Sequence, residues 1–305
     1  MTTQRTRVII DTDPGVDDLL ALALAVRSPE LELVAVTTSY GNASLAATTR
    51  NAGEVLRLAG RRHIPVAPGS EVPWLRTAST ARVRHGPEGS GDAPVPPAAP
   101  VRPNPTVLLD VLEREAAPVA LLTLGPLTNL ASALRRAPEF VARRVSRHLG
   151  MFGKIQHGVG RSAGADFNAS CDPEAAEQVL RSRLPTTMVA VDATRHMVLP
   201  APVVEWAARS TDPLVAWLGQ ALLCALRYDR SERGLDGVVV HDVLTVGALI
   251  DPEVLRCEVV PLEVNLDAGE AHGDTRERVN GTPTMVALGA DVDRMMVLLR
   301  RVLPL

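Results

Sequence analysis

Residues 8–18 read Val8-Ile9-Ile10-Asp11-Thr12-Asp13-Pro14-Gly15-Val16-Asp17-Asp18, and an apolar helical pattern, Leu19–Arg27, follows at once. Three β-branched residues in a row make a short buried strand. Pro14-Gly15 turns the chain, and Asp17 and Asp18 fall where acids complement the dipole of a starting helix. The same alternation continues downstream. Leu33–Thr38, Pro65–Ala67, Val119–Leu124 and Thr187–Val191 read as buried strands. Ala46–Ala59, Pro105–Glu115, Leu127–Arg136 and Pro173–Arg183 read as helices, the last opened by Asp172 as N-cap and Pro173 at its first position. This pattern predicts an α/β fold: one domain over residues 1–305 with a mainly parallel, Rossmann-like central sheet flanked by helices. Ligands bind such sheets beyond the carboxyl ends of the strands.

The dipole accounts for Asp17 and Asp18 but not for Asp11 and Asp13. Like charges packed at a strand end repel unless a proton or a cation intervenes. A hard divalent cation with oxygen ligands, Ca²⁺ or Mg²⁺, resolves four carboxylates within eight residues.

Composition narrows the function classes. The 305 residues are 46% hydrophobic and 22% charged with a formal net charge of -3. Mean hydropathy is +0.09 and the isoelectric point about 6.2. These values exclude disorder and the basic face of a nucleic-acid partner. No apolar run approaches a bilayer span and no signal-peptide pattern opens the chain, so no membrane contact and a cytoplasmic location are expected. Cys171, Cys224 and Cys257 form no paired framework and read as reduced thiols. Only Lys154 among 32 basic residues is a lysine, and aromatics are 3% of the chain. Gly86–Pro105, rich in Pro, Gly and Ala, reads as a lid or mobile loop, and Tyr228–Gly237 as a second one. Trp206, Trp217 and Cys171 read as packing residues.

The segment Asp11–Asp18 resembles the N-terminal motif of the inosine–uridine-preferring nucleoside hydrolases. Further pieces stand in that family's order: Gly41-Asn42, His85-Gly86, Gly125-Pro126-Leu127-Thr128-Asn129, Asp166-Phe167-Asn168 and His241-Asp242. The resemblance implies a Ca²⁺-dependent N-ribohydrolase that cleaves a nucleoside to base and ribose, and a homodimer or homotetramer. It implies that Asp13 is general base and metal ligand, that Asp18, Asp242 and the Leu124 carbonyl complete the ligand set, and that Asp11 supports them. It assigns Asp17 to the ribose 2′-hydroxyl, Asn42, Asp166 and Asn168 to the ribose, His241 to the leaving base and His85 to the base pocket. Tyr228 joins the candidate substrate contacts. An anionic pocket suits this chemistry, because breaking the ribosyl C–N bond builds positive charge on the sugar.

Two departures concern the sugar. Asp166 stands where the family carries glutamate, and Gly160 where it carries asparagine, with Arg161 beside it. They predict a weaker grip on the 3′ and 5′ hydroxyls and leave room for a bulkier or charged 5′ group. A non-catalytic or altered-specificity relative is therefore an alternative. A haloacid-dehalogenase-type phosphatase is another, on Asp11-Thr12-Asp13, but Gly15 stands where that motif wants Thr or Val, and only Lys154 can serve as its lysine.

Overall fold

The apolar run at residues 8–10 is the middle of strand β1 (Thr6–Thr12), buried from Val8 onward. The computed structural model describes residues 5–78, 80–155, 165–182 and 184–305; Gly160 and Arg161 lie outside them. Along the chain follow β2 (Leu31–Thr38), β3 (Val66–Pro68), β4 (Val119–Thr123), β5 (Val145–Gly150), β6 (Thr186–Val189), β7 (Val198–Pro200), β8 (Gly237–Val239), β9 (Leu255–Val264), β10 (Thr275–Glu277) and β11 (Thr282–Ala290). Nine of these form one sheet in the order β10-β9-β11-β6-β5-β4-β1-β2-β3, and β7 pairs with β8 apart from it. From β3 to β11 every neighbour is parallel, while β9 and β10 add an antiparallel margin.

Successive side chains of a strand point to opposite faces, and β1 feeds both cores. Val8 and Ile10 pack with residues of the helices Val16–Arg27, Pro213–Arg233 and Val243–Ile250. Ile9 packs with those of Val107–Arg114, Thr128–Arg136 and Pro173–Leu180 on the other face. The chain lays β2 and β3 on one side of β1, then returns to place β4, β5 and β6 on the other. This reversal makes the carboxyl ends of β1 and β4 the switch-point crevice, where open α/β sheets hold their ligands.

The five predicted strands and five predicted helices are present with ends shifted by a few residues. Several expectations fail. Tyr228–Gly237 is not a loop up to Arg233: it is the last turns of the 21-residue helix Pro213–Arg233, which ends on Gly234 in the left-handed region at φ 65°. Charged residues there occupy the solvent side of a helix whose inner face carries Leu222, Ala225, Leu226 and Asp229. Gly86–Pro105 lies outside strands and helices, as a loop should, and the rest of the fold bonds to it at several points. The Pro94 carbonyl accepts from Trp217 Nε1 at 2.8 Å, the Glu88 carbonyl from Asn51 Nδ2 at 2.9 Å, and Asp92 pairs with Arg227 at 2.6 Å. Trp217 and Cys171 are buried, but Trp206 is 51% exposed and is not a packing residue. No helix among the described residues is long and apolar enough to cross a membrane.

Candidate active site

A cavity of about 350 Å³ opens over the switch point, and among its lining residues are Asp17, Asn42, His85, Leu124, Asp166, Asn168, Tyr228, His241 and Asp242. The segments following β1, β2, β3, β4, β5 and β8 supply most of this wall. Asp17 and Asp18 stand in the first turn of Val16–Arg27, and Asp242 caps the start of Val243–Ile250.

Four acids of this crevice, Asp13, Asp17, Asp18 and Asp242, are all at most 4% exposed. Ligand oxygens of Asp17, Asp18 and Asp242 lie within 4.8 Å of one another. Asp13 stands outside that triple. Its Oδ2 accepts the Asn42 backbone N–H at 2.7 Å, and its Oδ1 is buried with no donor. Backbone is brought against it on two sides, because a Cβ at Gly41 (φ +148°) or at Gly125 would collide with the Asp13 carboxylate. Asp18 is fixed by Thr12 Oγ1 at 2.5 Å, the Gly15 N–H at 3.1 Å and Asn42 Nδ2 at 2.9 Å. Asn42 thus orients two carboxylates at once.

Burial and the charge of Asp18 push Asp13 well above the usual carboxylate range, and the same pair of causes raises Asp242. Burial and the charge of Asp17 push Asp18 up to about 7. Asp17 goes the other way. Burial alone would raise it, but Arg84, His85 and His241 outweigh burial and hold it at about 2. Asp11 does not line the cavity. It sits behind Asp13, accepting from Thr37 Oγ1 at 2.5 Å and Asn129 Nδ2 at 2.8 Å, and burial raises it to about 6. Asn129, from the predicted strand-end motif, also donates to the Thr38 carbonyl and so ties β1, β2 and the Thr128 helix together.

Two predicted sugar contacts are largely engaged by backbone. Asp166 Oδ1 accepts from the Gly153 N–H at 2.6 Å and the Ala169 N–H at 3.1 Å, while Oδ2 accepts from the Asn168 N–H at 3.0 Å. The shorter side chain is thereby the N-cap of Phe167–Cys171. Asn168 Nδ2 donates to the carbonyls of Leu124 at 2.6 Å and Met151 at 2.8 Å, which leaves its Oδ1 for a ligand. Asp166→Ala should cost about 2–4 kcal/mol, combining a lost N-cap with a buried Gly153 N–H left unpaired. Thermal denaturation reads this, and an unshifted midpoint would contradict the capping role.

The imidazoles are held from behind. His85 Nδ1 accepts the Val16 N–H at 3.1 Å, so a neutral ring carries its proton on Nε2. His241 Nδ1 is 2.8 Å from Thr194 Oγ1. Burial lowers His85 to about 3 and His241 to about 4, so both rings are neutral at pH 7. Tyr228, half-buried, lies under the Arg233 guanidinium, 5.9 Å from its ring centroid. Lys154 does not line the cavity.

Arg84, Met151, Phe167, Val191 and Arg233 also line the wall, and sequence reasoning does not single them out as site residues. Arg84 adjoins a predicted residue, and Phe167 is one of few aromatics. Phe167 also lies between the predicted Asp166 and Asn168, and Arg233 lies within the Tyr228–Gly237 segment.

The sequence profile described as inosine-uridine preferring nucleoside hydrolase matches residues 8–297. The enzyme of that name from Leishmania major is 34% identical over 304 residues, covering 96% of this chain and 95% of its own. The pyrimidine-specific ribonucleoside hydrolase RihA of an Enterobacter species is 36% identical over 81% of this chain and 80% of its own. A solved plant nucleoside hydrolase, PpNRh1, superposes with a TM-score of 0.87 at 29% identity, covering 98% of this chain and 99% of that one. The chain belongs to the inosine-uridine preferring nucleoside hydrolase family.

Proposed function

We propose that this chain hydrolyses the N-glycosidic bond of ribonucleosides to free base and ribose, with a Ca²⁺ ion held by Asp13, Asp18, Asp242 and the Leu124 carbonyl. The observation that carries it is the buried, donor-free Oδ1 of Asp13 beside converging carboxylates. An anionic oxygen buried without a partner is costly, and a cation with oxygen ligands removes that cost. The donor set, carboxylates and one carbonyl, is of the hard kind that calcium takes. When bound, the ion would supply Lewis acidity to water and coordination sites for the oxygens of a vicinal diol.

The remaining work falls to the protein. Asp13, whose Oδ1 is free of donors, is the group that takes a proton from the attacking water. Asp17, held anionic beside Arg84, accepts from the ribose 2′-hydroxyl. Asn168 Oδ1 and the side chain of Asn42 border the sugar. The anionic wall stabilises positive charge developing on the ribose. His85, His241 and Tyr228 stand at the base end, where hydrogen bonding assists the departing base.

The Asp166 contacts favour altered sugar specificity within this reaction. With its oxygens engaged by three backbone N–H groups, the carboxylate offers the 5′ side of a ribonucleoside less than a free side chain would.

A panel of purine and pyrimidine ribonucleosides, with and without 5′ phosphates, incubated with the protein and Ca²⁺, tests the proposal through release of reducing sugar. Base and sugar released in equal amounts from at least one ribonucleoside is the expected result. Release from none, with calcium bound, would replace catalysis by binding alone.

A further inference from the structure

Asp17 faces two kinds of partner. Its carboxylate belongs to the group whose ligand oxygens converge with those of Asp18 and Asp242 within 4.8 Å. Its Oδ1, however, is 3.4 Å from an Arg84 terminal nitrogen, and its Oδ2 accepts the His241 backbone N–H at 3.2 Å. Asp18, by contrast, accepts only from the neutral donors of Thr12, Gly15 and Asn42. Asp13 has one oxygen with no donor at all.

Arg84 is 8% exposed and anchored on its far side. Its second terminal nitrogen donates to the Val239 carbonyl at the end of β8 and lies 3.6 Å from Asp229 Oδ2. Asp229 is fully buried in helix Pro213–Arg233, accepts the Val239 N–H at 3.0 Å, and pairs with Arg233 at 3.3 Å. The guanidinium is therefore fixed to β8 and that helix and cannot follow Asp17 toward the centre of the cluster. A planar fork held between two carboxylates keeps each of them in one orientation.

We propose that Arg84 is a positioning residue that withholds Asp17 from the cation and reserves its carboxylate for the sugar. The inference rests on the cation reading above. Without Arg84, the nearest positive charge for Asp17 is the ion itself. A calcium-type site accepts six to eight oxygens with flexible geometry, so an Asp17 oxygen enters in place of a coordinated water. The acceptor for the ribose hydroxyl is lost in the same movement.

The count of waters on the ion reads this directly. Europium(III) replaces calcium, and its luminescence lifetimes in H₂O and D₂O give the number of coordinated waters. Arg84→Met is expected to show one water fewer than the native protein, and Arg84→Lys, which keeps a cation beside Asp17, the native number. Asp17→Asn supplies a second arm should Arg84→Met fail to fold. It leaves the native count unchanged if Asp17 is withheld, and raises it by one if Asp17 is already a ligand. In Arg84→Met the preference for a ribonucleoside over its 2′-deoxy counterpart, read as a ratio of kcat/KM, should shrink at least tenfold. An unchanged water count in Arg84→Met, or an added water in Asp17→Asn, overturns the inference. A native protein that binds no europium removes the cation reading and, with it, this one.

Discussion

Asp13→Asn is expected to fold and to lose turnover by ~10²–10⁴-fold, the range typical for removing a positioned base. The substitution keeps the shape that Gly41 and Gly125 crowd against, and the amide oxygen can still accept the Asn42 N–H that Oδ2 accepts now. What disappears is the basic, donor-free oxygen. Stability moves in the opposite direction. Burial and Asp18 raise the Asp13 carboxyl well above the usual range, so its ionised form strains the metal-free fold at neutral pH and a neutral amide relieves that strain. Kinetics and melting measured on one preparation separate the two effects. Near-native turnover would overturn the role, and a collapsed fold would make Asp13 structural instead.

The second large effect is the coupling of calcium to pH. Asp18 is raised to about 7 and Asp11 to about 6 from an ordinary 3.8, and burial and the charge of Asp18 also raise Asp13 and Asp242. A carboxyl raised in the fold holds a proton that the unfolded chain releases. Its contribution to metal-free stability is complete below about 4 and is lost as pH climbs through about 7. Asp17, held at about 2, stays ionised across that window. A cation competes with those protons, so its affinity rises with pH. Calcium at ~1,000 times its dissociation constant stabilises by about 4 kcal/mol. The melting midpoint should therefore rise on calcium addition far more at pH 8 than at pH 5, relative to a chelator control. An equal or larger rise at pH 5 contradicts the cluster as the binding site.

How far the sequence can be read depends on whether neighbours in the fold are neighbours in the chain. Asp11, Asp13, Asp17 and Asp18 fall within eight residues that run from the end of a strand into the start of a helix, so their crowding is plain from the order of residues alone. β5 escapes such a reading because its sequence, Val-Ser-Arg-His-Leu-Gly, is largely polar. His148 is nonetheless fully buried there, satisfied by the hydroxyls of Thr123 and Thr186 on the adjacent strands. The end of helix Pro213–Arg233 reads as a loop because charges and Gly234 dominate it, while Asp229 is buried only because Arg84 and Arg233 come to meet it. Arg84 and Asp17 are 67 positions apart, and no local pattern announces such a pair. Asp166 shows the limit from the other direction. Its place in a motif is legible, but its capture by the Gly153 N–H depends on where β5 ends.

The most direct test of the central claim is a crystal structure grown with millimolar calcium, with anomalous scattering used to identify the ion. The account predicts one ion at about 2.3–2.6 Å from carboxylate oxygens of Asp13, Asp18 and Asp242 and from the Leu124 carbonyl, with Asp17 still turned to Arg84. Well-ordered carboxylates standing apart around an empty centre, at calcium concentrations that saturate any effect on melting, would contradict it.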